Sequence, residues 1–239
     1  MGSKLVVLIV VGFAFTQLSV GQQENGQPIV RITAPIESSP ISWNQIVPYG
    51  ISVVDKEDGN SEYDEIPSHE VILTVEHIAD SSEVENYLKQ DQAKSIAILS
   101  QMGSFNCFTC HSAKDKLIGP AFSEIANRYS DRSDASEYLA NKILKGTSGT
   151  WGDEIMPAQP DLKLDEVKQI VDWILKNGSK PEFDYYAGLN GAFKAKKQSG
   201  FETENGFFVL KTHYTDQGLQ TSGNSKTGKH SVVLRVTGE

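Results

Sequence analysis

The sequence predicts an α+β multidomain chain, in which an all-α domain lies between a small N-terminal β-sandwich and a C-terminal β-hairpin region. Three observations carry this reading. Residues 28–79 contain β-branched runs bounded by Pro, Gly and Asp, the pattern of strands. Residues 93–178 switch to apolar residues at helical spacing, with Gly following several of the segments. From 179 to 239 the alternation returns on either side of a Gly-rich loop.

The chain opens Met1-Gly2-Ser3-Lys4, runs apolar over 5–15, and reaches small residues at Ser19 and Gly21. One basic residue, a short apolar core and a small-residue exit make residues 1–21 a secretory signal peptide, cut after Gly21. The apolar run is short for a membrane span, so the mature chain is expected to have no integral span. Export also fits the cysteine count, because two cysteines leave no disulfide framework.

Residues 22–27 are polar. Strands are expected over 29–33, 46–55 and 71–78, as a sandwich spanning 28–79. Asp55-Lys56-Glu57-Asp58-Gly59 admits a calcium-site reading, but a solvated acidic turn is the preferred one. His69 and His77 read as surface or satisfied strand residues. Residues 80–92 are an acidic linker or a short lead-in helix.

Helical spacing begins at Ala93, with Ile96, Ala97, Leu99 and Met102 in phase, and Gly103-Ser104 ends the segment. Directly after it stands Cys107-Phe108-Thr109-Cys110-His111, a single C-x-x-C-H. That spacing suits attachment of c-type haem: two thiols bond the porphyrin and the adjacent imidazole ligates its iron. A redox dithiol, half of a zinc site and a structural pair are the competing readings. The next downstream histidine is His213, far for a zinc site, and the flanks lack the βαβ context of a thioredoxin-like dithiol.

A second axial ligand follows nearly by elimination. Beyond Met1 the methionines are Met102 and Met156. Met102 lies one turn before the cysteines, on the attachment side. Met156 sits in the Gly/Pro-rich stretch 151–160, between two helical patterns, and is expected to be the distal ligand. Pro120 has a carbonyl free to accept from the outer imidazole N–H of His111, which would fix the ring tautomer. Helices are further expected over 121–130, 135–145 and 164–177, the last with Asp165 and Glu166 in its first turn and Gly178 at its end.

These elements in order resemble a class I cytochrome c, more narrowly the small bacterial c551/c552-type monohaem cytochromes. The resemblance covers about 93–178. It rests on Cys107, Cys110 and His111, on Leu117-Ile118-Gly119-Pro120-Ala121-Phe122, on Gly149-Thr150-Trp151-Gly152, and on Ile155-Met156-Pro157. It implies one covalent haem c, with iron held by His111 and Met156, and it implies that Trp151 packs near a haem propionate. The family commonly has Pro before the ligand Met and Ser or Thr capping the last helix, where this chain has Ile155 and Lys163. The 28–79 segment resembles the PKD/immunoglobulin-like modules of secreted sugar-oxidising proteins, in which such a module precedes a cytochrome domain.

In the 179–239 extension, strands are expected over 206–216 and 230–236. The loop 222–229 lacks Walker A spacing and reads as a hairpin connection. His213 and His230 are weak candidates for metal ligands.

The expected function is exported single-electron transfer, in the periplasm or at the bacterial cell surface, to or from a redox partner such as a dehydrogenase or terminal oxidase. The chain has one C-x-x-C-H, where a dihaem peroxidase needs two, and no space for a dehydrogenase domain. No catalytic residue is expected. A net charge of −9 argues against nucleic acid as a partner. Two alternatives remain. One is the electron-accepting module of a sugar-oxidising complex. The other is a glycan- or wall-binding adaptor using Tyr185, Tyr186, Phe207 and Phe208.

Overall fold

The computed structural model describes residues 24–196, 206–219 and 223–237. The signal-peptide expectation for 1–21 therefore lies outside the described residues, as does part of the 222–229 loop.

Among the described residues, nine strands form two facing sheets. They are β1 (Ile29–Ala34), β2 (Pro40–Ile41), β3 (Ile46–Asp55), β4 (Gly59–Asn60), β5 (Ile72–Ile78), β6 (Phe183–Ala187), β7 (Asn190–Lys194), β8 (Gly206–Thr215) and β9 (Thr227–Val236). One sheet has β3 at its centre, paired with β1, β4 and β7; the other runs β2-β9-β8-β5-β6. Alternation decides which side chains meet between them. Val30 and Ile32 of β1 point inward with Val47, Tyr49, Ile51 and Val53 of β3, while Arg31 faces out. Opposite them stand Leu73, Val75, Phe208, Leu210, Tyr214, Val232 and Leu234.

The sequence reading makes 28–79 a sandwich of its own and 179–239 an extension that docks on a neighbour. Instead they interleave. β7 pairs with β3, while β6 and β8 flank β5. A period-two pattern fixes which face of a strand is buried but not which strand lies beside it. A few strands from one flank cannot cover both of their faces, and the other flank supplies the missing neighbours.

Between β5 and β6 the chain makes five helices: α1 (Ser81–Lys89), α2 (Ala93–Ser104), α3 (Phe122–Tyr129), α4 (Ala135–Lys145) and α5 (Leu164–Asn177). The 80–92 segment thus contains a true helix, started by Asp80, whose carboxylate accepts from the Ser82 N–H at 2.9 Å. Lys163 begins α5 without a side-chain cap, and Asp165 and Glu166 occupy its first turn against the helix dipole. Gly178 ends it where a Cβ would stand 2.8 Å from the carbonyls of Ile174 and Phe122, so glycine lets α3 and α5 close up.

The helices are not a separate ball. Ile98, Leu99, Met102, Phe122, Ile170, Trp173 and Ile174 share one apolar cluster with Ile72 of β5 and Tyr185 of β6. β5 is accordingly buried on both faces, one toward the opposite sheet and one toward the helices. Gly103 permits the same approach: a Cβ there would lie 2.7 Å from the His69 carbonyl.

The structure decides several single-residue readings. His77 is a buried residue of β5, with Trp43 at 5.1 Å and Phe208 at 5.2 Å, so of its two readings, surface and strand residue, the second holds. The acidic hairpin turn is present, with Asp55 paired to Gly59 and Lys56 exposed, but Asp55 itself is 4% exposed and not solvated. Tyr185 and Phe208 are core residues and present no flat face to a sugar.

Candidate functional site

α2 ends at Ser104, and Asn106 takes a left-handed conformation (φ 57°) that redirects the chain into a single tight turn, Cys107–Thr109. The Cys107 carbonyl accepts from the N–H groups of Cys110 and His111, at 3.3 and 3.1 Å. This turn fixes the two thiols and the imidazole relative to one another. Neither cysteine is in a disulfide. Burial pushes the Cys107 thiol up to about 12, away from the depressed range of a reactive dithiol.

His111 is held on three sides. Its Nδ1 donates to the Pro120 carbonyl at 2.7 Å, the bond expected from the sequence. That acceptor fixes the proton on Nδ1 and leaves the Nε2 lone pair available; Nε2 has no hydrogen-bond partner among the described residues. Phe122 stacks on the ring at 5.2 Å and 28°. Gly119 presses on it so closely that a Cβ would come within 2.4 Å of Cε1. Burial disfavours the imidazolium and lowers the His111 pKa, against the Pro120 bond, so the ring stays neutral.

Met156 and Trp151 lie in the loop between α4 and α5. Met156 and Thr147 exchange backbone hydrogen bonds, Thr147 N–H to Met156 O at 3.0 Å and Met156 N–H to Thr147 O at 2.9 Å. Gly146, at φ 73°, packs against that bridge, where a Cβ would be 2.9 Å from the Met156 carbonyl. The Met156 backbone is thereby pinned in a loop rich in Gly and Pro. Trp151 is half-buried, with the Arg128 guanidinium 4.5 Å from its ring and the Tyr129 ring at 6.5 Å. Arg128 also donates to the Thr150 carbonyl at 3.1 Å. Met102 is fully buried in the helical core, away from any ligand role.

Cys107, Cys110, His111 and Pro120 thus form one connected group, with Trp151 and Met156 on a separately braced loop. Leu117 and Ile118, 51% and 52% exposed, flank the first, and Ile155, 73% exposed, flanks the second. Unpaired thiols, a neutral imidazole with a free Nε2 and an exposed apolar rim fit a flat, apolar, covalently held haem. Among the described residues, no group of three or more His, Cys, Asp or Glu side chains is poised to hold a metal ion. His213 is fully enclosed and neutral, its pKa lowered to about 3 by burial, and the His230 Nδ1 accepts from the Ile32 N–H at 3.2 Å. Both are occupied as strand residues.

Sequence reasoning missed the contacts around the ring. Phe122 was legible as part of an apolar helix face, not as a stacking partner of His111. Tyr185 carries no local signal at all, because β6 reaches the helical core only through strand pairing.

A profile of the family described as "Cytochrome c" matches residues 99–178. Cytochrome c-552 of Nitrosomonas europaea is 44% identical over 70 residues, covering 29% of this chain and 68% of that one. Cytochrome c-552 of Hydrogenobacter thermophilus is 48% identical over 69 residues, covering 29% and 69%. The crystal structure of wild-type Nitrosomonas europaea cytochrome c552 aligns at 41% identity over 31% of this chain and 93% of that chain, with a TM-score of 0.31.

Proposed function

The chain belongs to the cytochrome c family, and on that premise we propose that it is an exported one-electron carrier whose haem is held by Cys107, Cys110, His111 and Met156. It is a haem-based electron-transfer protein, not an enzyme, and carries one covalently bound haem c. The bound group supplies reversible one-electron chemistry at its iron. The chain's own residues do the rest.

The observation that carries the assignment is the 2.7 Å bond from His111 Nδ1 to the Pro120 carbonyl. It aims a neutral Nε2 outward and makes the imidazole more electron-rich. Phe122 and Gly119 stop the ring from rotating. Cys107 and Cys110 would hold the haem through thioether links, and Met156, on its braced loop, would be the second iron ligand. With both His111 and Met156 holding the iron, the group would supply electron transfer and not substrate binding. Trp151, with Arg128 over its ring, is suited to a propionate edge, where a guanidinium meets a carboxylate. Leu117, Ile118 and Ile155 shut water away from the faces.

The acceptor or donor is a separate redox protein, for example a dehydrogenase or a respiratory oxidase, met in the periplasm or at the cell surface. No helix of the described residues is long and apolar enough to cross a membrane.

Optical spectra of the exported protein, oxidised and reduced, test the ligand set. Sharp reduced bands together with the weak far-red band of Met-ligated ferric haem are expected. A high-spin spectrum lacking that band would remove Met156 from the iron and reopen the enzyme reading.

A further inference from the structure

Among the described residues, three buried side-chain oxygens that can only accept hydrogen bonds find no donor: Asn25 Oδ1, Asp55 Oδ2 and Glu57 Oε1. All three belong to one neighbourhood at one end of the sandwich. Asp55 Oδ1 accepts from the N–H groups of Glu57 and Asp58, at 2.9 and 2.7 Å. Glu57 Oε2 accepts from Gly26 N–H at 3.0 Å, which sets its carboxylate beside Asn25. Asn25 Nδ2 in turn donates to Asp216 Oδ2 at 2.9 Å and to the Asn224 carbonyl at 2.7 Å. Asp58 completes the group, accepting from Tyr214 Oη at 2.7 Å and Gln217 N–H at 2.9 Å.

The carboxylates of Asp55, Glu57, Asp58 and Asp216 border this region, though among the described residues they do not by themselves make a group of three that could hold a metal ion. Two cations face them. Lys226 donates to the Asn25 backbone carbonyl at 2.6 Å, and Lys56, 69% exposed, stands 3.8 Å from Glu57 Oε1, beyond hydrogen-bond range. Lys56 is thus ion-paired with Glu57 Oε1, but neither cation hydrogen-bonds to any of the three oxygens. Asp55 and Asn25 are 4% and 6% exposed, and the Glu57 side chain 9%, so bulk water does not solvate them freely. A buried carboxylate oxygen with no donor is costly, and three oxygen acceptors left open together call for a positive charge.

We propose that Asn25, Asp55 and Glu57 form a Ca2+ site that staples the N-terminal segment to the β3–β4 turn and the β8–β9 end of the sandwich. The donors are all oxygen, the preference of a hard cation, and they come from an irregular loop set that suits the variable coordination of Ca2+ better than the strict octahedron of Mg2+. Two carboxylates and one amide, completed by water, place it in the weak class of extracellular calcium modules, with Kd on the order of 0.1–1 mM.

The test uses the full haem-loaded protein, stripped with EDTA. Calorimetric titration with CaCl2 is expected to show binding in that range, and melting temperature should rise in CaCl2 but not in MgCl2 of equal ionic strength. Glu57→Gln should weaken binding at least tenfold, while Lys56→Ala, which removes the cation paired with Glu57 Oε1, should tighten it. Asp55→Asn should abolish binding; if that variant does not fold, the opposite signs of the other two still decide. Absence of binding heat with equal melting in both salts would mean that water alone satisfies these oxygens, and the site would be withdrawn. Equal affinity in wild type and Glu57→Gln would overturn it as well.

Discussion

Tyr185 lies over Phe122 with ring centroids 6.0 Å apart and planes 26° apart, although one residue comes from the sandwich strand β6 and the other opens helix α3. Phe122 in turn stacks on His111 at 5.2 Å. Trp173 meets Tyr185 edge-on at 5.2 Å. The β-sandwich thus braces the proposed iron ligand through a continuous file of rings.

The stack gives the first prediction. Tyr185→Ala should destabilise the protein by about 3–5 kcal/mol and broaden the proton resonances of the His111 ring in the reduced state. Tyr185→Phe should be neutral or slightly stabilising, because the buried Tyr185 hydroxyl has no partner to lose. Denaturant titration of both variants checks the pair, and a costly Tyr185→Phe would contradict it.

Gly119 offers a second handle. A methyl group there would meet the His111 ring at 2.4 Å, and the neighbour is a ring already fixed by Pro120 and Phe122. Gly119→Ala is expected to cost about 1–3 kcal/mol and to change the electronic spectrum by displacing the imidazole. A wild-type spectrum in Gly119→Ala would show that the ring has room to yield.

For the distal loop, Met156→Ala should remove the far-red band and lower the reduction potential by on the order of 0.1 V or more, since axial ligation is the main lever on that potential. Redox titration of the purified variant reads it directly. An unchanged potential would assign the sixth position elsewhere.

His213 predicts a pH dependence. Burial first, then Lys229, lowers its pKa to about 3, while the Ile96 carbonyl bond opposes them. The unfolded residue titrates near 6.5. Between about 6.5 and about 3 the unfolded chain therefore binds one more proton, and stability falls as pH falls; above about 6.5 this residue contributes no slope. Unfolding midpoints from pH 7 to pH 5 should show that slope in wild type and a flatter one in His213→Gln.

The helical unit was legible because its information is local. Cys107, Cys110 and His111 are contiguous, Pro120 lies nine residues on, and the Met156 loop is marked by its own glycines and prolines. The sandwich was legible only as strands. β3 and β7 are separated by the whole helical insert, and nothing in Ile46-Val47-Pro48-Tyr49 names Asn190–Lys194 as its partner. The Asp55 turn misled for a related reason. Its composition is that of a surface loop, but Gly26, Tyr214 and Gln217 bond to Glu57 and Asp58 from distant parts of the chain.

The helical insert leaves the sheet after β5 and returns as β6, the neighbouring strand, with Glu76 opposite Phe183 and the His77 N–H bonded to the Glu182 carbonyl at 2.9 Å. Its two ends are therefore one strand spacing apart, about 4.8 Å, as in the tip of an ordinary hairpin. A tethered domain can sweep a volume around its linker; this one is clamped at both feet and has no arm to swing. The same closeness makes the insert a cassette: a short turn could replace it and leave the sheet unbroken, so a redox function can be added to or taken from this scaffold in one step.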